Sequence, residues 1–224
     1  MLQIILAAIL SVVFILSENI SEHAEKHHKK LLSLSAGMFT AIIFMEIFPF
    51  ISQGAQVAGD VIFVGMLASF TIYHLVEEHT YQHTRGLKRR KEINSFHIIG
   101  FFVENFINGF VLATFLLLGI SPLIFLPFLL VVVSISLSLK HLDDRFNLGP
   151  SKYFLSLSVL FGAIVATFLS FSVLQIYIML SLITGFLLYF VVRDMISKDS
   201  SGNPKYFLAG VIVVALLLEL IKLV

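Results

Sequence analysis

The sequence predicts an all-α, polytopic membrane protein of eight transmembrane helices with both termini outside. Three observations predict it: an excess of apolar residues, their grouping into eight segments, and the one-sided placement of the basic residues. Of 224 residues, 58% are hydrophobic and 13% charged, whereas soluble domains run nearer half and a quarter. At about 20 residues per span, this length holds about eight spans with short loops. The chain has no cysteine, which excludes a disulfide framework and any thiolate metal site. A net charge of +1 and no nucleic-acid motif argue against a DNA or RNA partner. Residues 1–224 read as a single transmembrane domain whose first partner is the lipid bilayer.

The segments are marked off by charge runs and by Gly, Pro and Ser breaks. They run 2–17, 31–51, 57–79, 96–118, 122–141, 153–170, 173–196 and 205–223. The run from Leu2 has no basic stretch ahead of it and no small-residue cleavage site after it, so it reads as a retained span rather than a signal peptide. Residues 52–60 (SQGAQVAGD) and 119–122 (GISP) are short, free of Lys and Arg, and contain helix breakers. They are expected as outer loops. The apolar run from Tyr153 to Val192 is too long for one span and predicts a tight hairpin near Ser170–Gln175. The stretch TRGLKRRKEIN between spans three and four is expected to be flexible, and its basic run to attract anionic lipid.

The basic residues sort by side. Lys26, Lys29 and Lys30 fall in the first loop, Arg85, Lys88, Arg89, Arg90 and Lys91 in the third. Lys140, Arg145 and Lys152 fall in the fifth, Arg193, Lys198 and Lys205 in the seventh. Fourteen of the fifteen thus lie on one side, with only Lys222 opposite. The positive-inside rule places the odd loops in the cytoplasm. The absence of long loops favours a prokaryotic plasma membrane.

A carboxylate deep in a span costs about 2.5–3.5 kcal/mol on insertion scales, so each one needs a reason. Glu104 is the deepest, within FFVENFINGFVLATF of the fourth span. Glu104 and Asn108 are four apart and share a helix face, with Asn105 about 100° round. A carboxylate and two amide carbonyls on one side of an apolar helix suit a hard or borderline divalent cation. The alternative is that the asparagines bond to neighbouring helices, with Glu104 protonated or paired. His141, followed by Asp143 and Asp144, is either a ligand or part of a solvated helix end. Glu46, three residues before Pro49, either lines an outer funnel or reaches interfacial water. His74 and Glu78, and His79 and His83, are spaced to hold a cation at the inner mouth or simply to end a wet helix. His23, His27 and His28 read as a solvated turn, Asp194 beside Arg193 as an interfacial ion pair, and Glu219 as reaching the outer interface.

In their order and spacing these fragments resemble the ZIP (zinc- and iron-regulated) family of metal transporters. SAGMFTAIIFMEIFPF resembles the family's S-A-G-x-F-x-A-x-x-x-x-H-x-x-P signature, with Glu46 where His is usual. ENFINGF is similar to its H-N-F-x-D-G motif: Asn105, Phe106 and Gly109 match, Glu104 replaces His and Asn108 replaces Asp. TGFLLYFVVRDMI resembles the A-G-x-F-L-Y-V-x-x-x-D-x-x segment of span seven, and LAGVIVVALLLEL the final span. The resemblance covers residues 31 to about 220. It implies a metal site of Glu104, Asn105 and Asn108, with His141 and Glu46 as further ligands. The family's span-five motif H-E-x-x-H-E corresponds here to Leu137, Ser138, His141 and Leu142, of which His141 alone is a ligand type.

The expected function is secondary transport of divalent metal cations, zinc, iron or manganese, across the plasma membrane into the cytoplasm. The metal is cargo, and no cofactor is expected. No Gly-rich phosphate loop suggests ATP coupling, and no nucleophile or H-E-x-x-H motif suggests an enzyme. The alternative is a transport-inactive ZIP-like membrane protein acting as a sensor or partner subunit, favoured by Leu137 and Leu142. A homodimer is one arrangement open to either.

Overall fold

The computed structural model describes residues 1–17, 28–86, 90–133, 136, 151–169, 172–196 and 203–223. Among the described residues the regular structure is entirely helical, eight helices and no strand. Helix α1 is Leu2–Ser17. Helix α2 starts as His28–Ile42, passes through a π turn at Ile43–Ile47 and ends as Phe48–Ala58. Helices α3 (Val61–Gly86) and α4 (Arg90–Leu117) follow. Helix α5 opens with a 3-10 turn at Pro122–Ile124 and runs to Val133. Helices α6 (Ser151–Phe168), α7 (Val173–Ile196) and α8 (Pro204–Lys222) complete the chain.

The expected segments are all present as helices, but several ends move. Residues 52–58, expected in an outer loop, continue α2. The turn that follows is only Gly59 and Asp60, with Gly59 at φ 65° and its N–H on the Ala55 carbonyl at 2.8 Å. Ser, Gln and Ala are compatible with a helix, so loss of hydrophobicity there marks a change of surroundings rather than a helix end. The stretch TRGLKRRKEIN is helical on both flanks, Thr84–Gly86 closing α3 and Arg90–Asn94 opening α4. Only 87–89 lie outside the described residues. The inner end of the fifth segment, 137–141, also lies outside them. The break between α6 and α7 falls where the hairpin is expected, α6 ending at Phe168 and α7 starting at Val173, with residues 170–171 outside the described ones. Ser172 and Gln175 form a capping box there: the Ser172 N–H donates to Gln175 Oε1 at 2.8 Å and the Gln175 N–H to Ser172 Oγ at 3.4 Å.

Three helices are long and apolar enough to cross a membrane, over Lys30–Ala58, Val173–Val192 and Pro204–Lys222. The other five carry shorter apolar stretches, such as Leu2–Ser17 and Phe101–Leu117. The outward faces are apolar too. Ile5, Ile9, Val12 and Leu16 form an exposed stripe on α1, and Leu208, Ile212, Leu216 and Leu220 another on α8. Meanwhile Ser11, Ser35, Ser156, Ser158, Ser181 and Thr184 are buried. Large apolar side chains thus face outward as well as inward, and small polar ones are buried among the latter, which points to a membrane protein.

Packing sorts the helices into two groups. Helices α1, α4 and α6 pack on one another, as do α2, α3, α7 and α8. Glycines bring the backbones together in reciprocal pairs. A Cβ on Gly109 of α4 would strike the Val159 carbonyl of α6, and one on Gly162 of α6 would strike the Phe106 carbonyl of α4. The same reciprocity joins α2 to α8 through Gly37 and Gly210, whereas between α3 and α7 a Cβ on Gly185 would strike the Met66 carbonyl and one on Gly65 the Ser181 side chain. Without lipid-driven attraction between helices, close approach and hydrogen bonds must hold them together. Ser11 Oγ donates to the Ser156 carbonyl at 2.9 Å and Ser156 Oγ to the Ser11 carbonyl at 2.7 Å, stitching α1 to α6. Ser69 Oγ donates to the Leu182 carbonyl at 2.6 Å between α3 and α7. Helix α5 touches both groups. Phe128 meets Phe39 of α2 edge-on at 4.9 Å, and Ser35 Oγ donates to the Pro127 carbonyl at 3.0 Å. On the other side Ser136 Oγ donates to the Phe14 carbonyl of α1 at 2.8 Å.

Candidate cation site

Glu104 lies halfway along the 28-residue α4, about 20 Å from either end at 1.5 Å per residue. It is half-buried and within electrostatic reach of the Tyr73 hydroxyl on α3. Tyr73 is itself packed on Phe186 of α7, ring centres 4.4 Å apart. Asn105 is fully buried, and Asn108 is 5% exposed.

The amides carry the chemistry. Asn105 Nδ2 donates to the Leu155 carbonyl of α6 at 3.3 Å. With the nitrogen committed to that carbonyl, Oδ1 is the atom left over, and it is buried without a partner. Asn108 Nδ2 is likewise buried without a partner. Half a turn of the Asn108 amide places its oxygen where the nitrogen lies, at no change in shape. A buried polar group without a partner costs about 1–3 kcal/mol, so two on one turn of one helix call for an explanation. A desolvated cation supplies one: it accepts amide oxygens and is charge-balanced by the adjacent carboxylate. The reading of the asparagines as bonds between helices holds for one atom, Asn105 Nδ2, and leaves the others unaccounted for.

The remaining expected ligands lie elsewhere. Glu46 sits in the π turn of α2, and its Oε2 accepts the Ser121 N–H at 3.2 Å. Ser121 lies just past the end of α4, so Glu46 is about 20 Å along the bundle from Glu104. The structure therefore does not bring Glu46 into one coordination sphere with Glu104, Asn105 and Asn108. It lies beside the α4–α5 turn and within electrostatic reach of Lys222. His141, Asp143 and Asp144 lie outside the described residues. His74 and Glu78 are both exposed on α3, the His74 ring centre 5.9 Å from that of Tyr189. Glu219 pairs with Lys222 at 2.8 Å on the exposed end of α8. Among the described residues no three of His, Asp and Glu converge.

Three residues along the bundle escape sequence reasoning in whole or in part. Tyr73 and Thr114, whose Oγ1 is also buried without a partner, look like ordinary span residues and carry no signal. Ser121 was detectable as a helix start, since Ser-Pro opens α5 with Ser121 Oγ accepting the Leu123 N–H at 3.3 Å. Its backbone amide as the partner of Glu46 was not.

The fold and this cluster define an all-helical membrane protein with a polar centre on one apolar helix. Comparison with known proteins adds no relative: no family model, no curated protein and no solved structure matches the chain.

Proposed function

We propose that this chain is a ZIP-like secondary transporter that carries divalent metal cations, zinc, iron or manganese, across the plasma membrane into the cytoplasm. Eight spans with both ends outside form the pathway, and Glu104, Asn105 and Asn108 form its site, one to two turns inside the apolar stretch Phe101–Leu117. One observation carries the reading: beside a mid-helix carboxylate, Asn105 Oδ1 and Asn108 Nδ2 are buried with nothing to bond, and half a turn of the Asn108 amide puts its oxygen in the same place. The resemblance of ENFINGF to the family's metal motif supports it. So does the division of the helices into two internally packed groups, since one group rocking against the other is how secondary transporters expose a fixed site alternately. His141 would receive the cation on the cytoplasmic side.

The oxygen-rich donor set favours manganese, iron or magnesium over zinc, because imidazole and thiolate are the ligands that hold zinc best. The second reading, a transport-inactive sensor or partner subunit, draws on Leu137 and Leu142 at two family ligand positions. Uptake of Mn²⁺, Fe²⁺, Zn²⁺ and Cd²⁺ into proteoliposomes separates the two. Uptake above that of empty liposomes is expected, and none for any of the four metals would leave only the second reading. Glu104→Ala is expected to lower uptake about thirtyfold, the loss of an interaction of about 2 kcal/mol. His27→Ala should leave it within about twofold. Equal losses from both would refute the site.

A further inference from the structure

Among the described residues the only π-helical turn is Ile43–Ile47, and Glu46 is in it. Its origin is local. Pro49 has no N–H, and its ring collides with a carbonyl four residues back. The Phe48 N–H reaches back five residues instead, to the Ile43 carbonyl. The turn also has a packing role. Phe39, Ile43, Ile47 and Ile51 are all buried, none more than 1% exposed. Steps of four residues drift about 40° each in a uniform α-helix. The wider π turn removes that drift between Ile43 and Ile47 and keeps the four side chains in one line.

Glu46 is fastened from outside its own helix. Its Oε2 accepts the Ser121 N–H at 3.2 Å. Ser121 is the N-cap of α5, with its own Oγ already engaged by the Leu123 N–H and Pro122 next in line without a donor. The Ser121 amide is thus the donor left at this corner, and the positive end of α5 favours a carboxylate there. Lys222 of α8 also faces Glu46 electrostatically, but its ammonium is engaged with Glu219 at 2.8 Å. If α2 reverted to regular α-helix, the one-residue change of register would swing Glu46 about 100° away from Ser121 and take Ile47 out of line with Ile43. The hydrogen bond therefore requires the π turn and adds to what Pro49 and the buried line already favour, and it joins α2 of one helix group to the corner that follows α4 of the other.

We propose that the Glu46–Ser121 hydrogen bond is an outer latch: it holds α2 in its π form against the α4–α5 corner, and a divalent cation opens it by taking the carboxylate from the Ser121 amide. The latch follows from the geometry alone, while the choice of a cation to open it rests on the transport reading above.

Hydrogen exchange of the full chain in lipid nanodiscs, followed over residues 43–50 and 118–124, tests it. Glu46→Ala removes the acceptor. Ser121→Pro removes the donor at a position whose φ of −49° suits proline. Both should speed exchange over 43–50 about tenfold without metal. Glu46→Gln keeps an acceptor of the same shape and should stay within about twofold of the parent, guarding against a folding defect. Added Mn²⁺ should speed exchange in both segments of the parent and in neither segment of Glu46→Gln. Parent-like exchange in both Glu46→Ala and Ser121→Pro would overturn the latch. A parent indifferent to Mn²⁺ would overturn opening by the cation. A parent that opens with Mn²⁺ yet carries no metal into proteoliposomes would take down the transport reading and leave the latch standing.

Discussion

Asn105 of α4 donates through Nδ2 to the Leu155 carbonyl of α6 at 3.3 Å, and the same bond leaves its Oδ1 buried with no donor. One side chain thus ties two helices together and holds a lone pair in reserve. Structural and functional roles of a membrane asparagine are usually weighed as alternatives. Here the proposed second role would depend on the first, because the Leu155 carbonyl decides which end of the amide is left over.

Asn105→Leu removes a hydrogen bond and an unpartnered oxygen together, two effects of opposite sign. Its unfolding temperature in detergent should stay within a few degrees of the parent, a change of about 1 kcal/mol or less. Uptake of Mn²⁺ should fall about tenfold. A large drop in stability with uptake per folded molecule unchanged would make Asn105 a packing residue only.

Two glycines separate close approach from backbone strain. Gly109 has the Val159 backbone where its Cβ would be, and neither backbone can yield without parting α4 from α6. Gly109→Val should therefore cost about 3 kcal/mol or more. Gly119 has open space around it but sits at φ 79°, so Gly119→Ala should cost only about 1–2 kcal/mol. Thermal unfolding of both variants in one detergent decides the order, and a larger loss at Gly119 would contradict the packing between α4 and α6.

The proposed topology is open to direct labelling because the parent has no cysteine. Asp60→Cys and Leu223→Cys should react with a membrane-impermeant maleimide in intact cells. Lys88→Cys and Lys198→Cys should react only after permeabilisation. Labelling of Lys88→Cys in intact cells would break the assignment of sides by basic residues.

The existence of each helix was legible from hydrophobicity, and α1 and α7 match their expected bounds residue for residue. The ends were less so. Ser52–Ala58 and Thr80–Gly86 extend their helices through polar sequence, since lipid contact is what hydrophobicity registers and a helix needs none. The π turn ahead of Pro49 was not read from the sequence. In the site, the shared face of Glu104 and Asn108 follows from spacing alone. The partners that orient the polar groups do not, because the Leu155 carbonyl and the Ser121 amide are backbone atoms that any residue supplies.

Helix α3 runs to Gly86, while its apolar stretch ends at Val76. Its last ten residues add about 15 Å of helix that hydrocarbon cannot shelter. In oil a broken backbone bond has no substitute, whereas in water solvent replaces it at small cost. One continuous helix is therefore two materials end to end. The far part should fray and re-form with salt and temperature like an isolated peptide, while the near part stays locked until the whole bundle gives way.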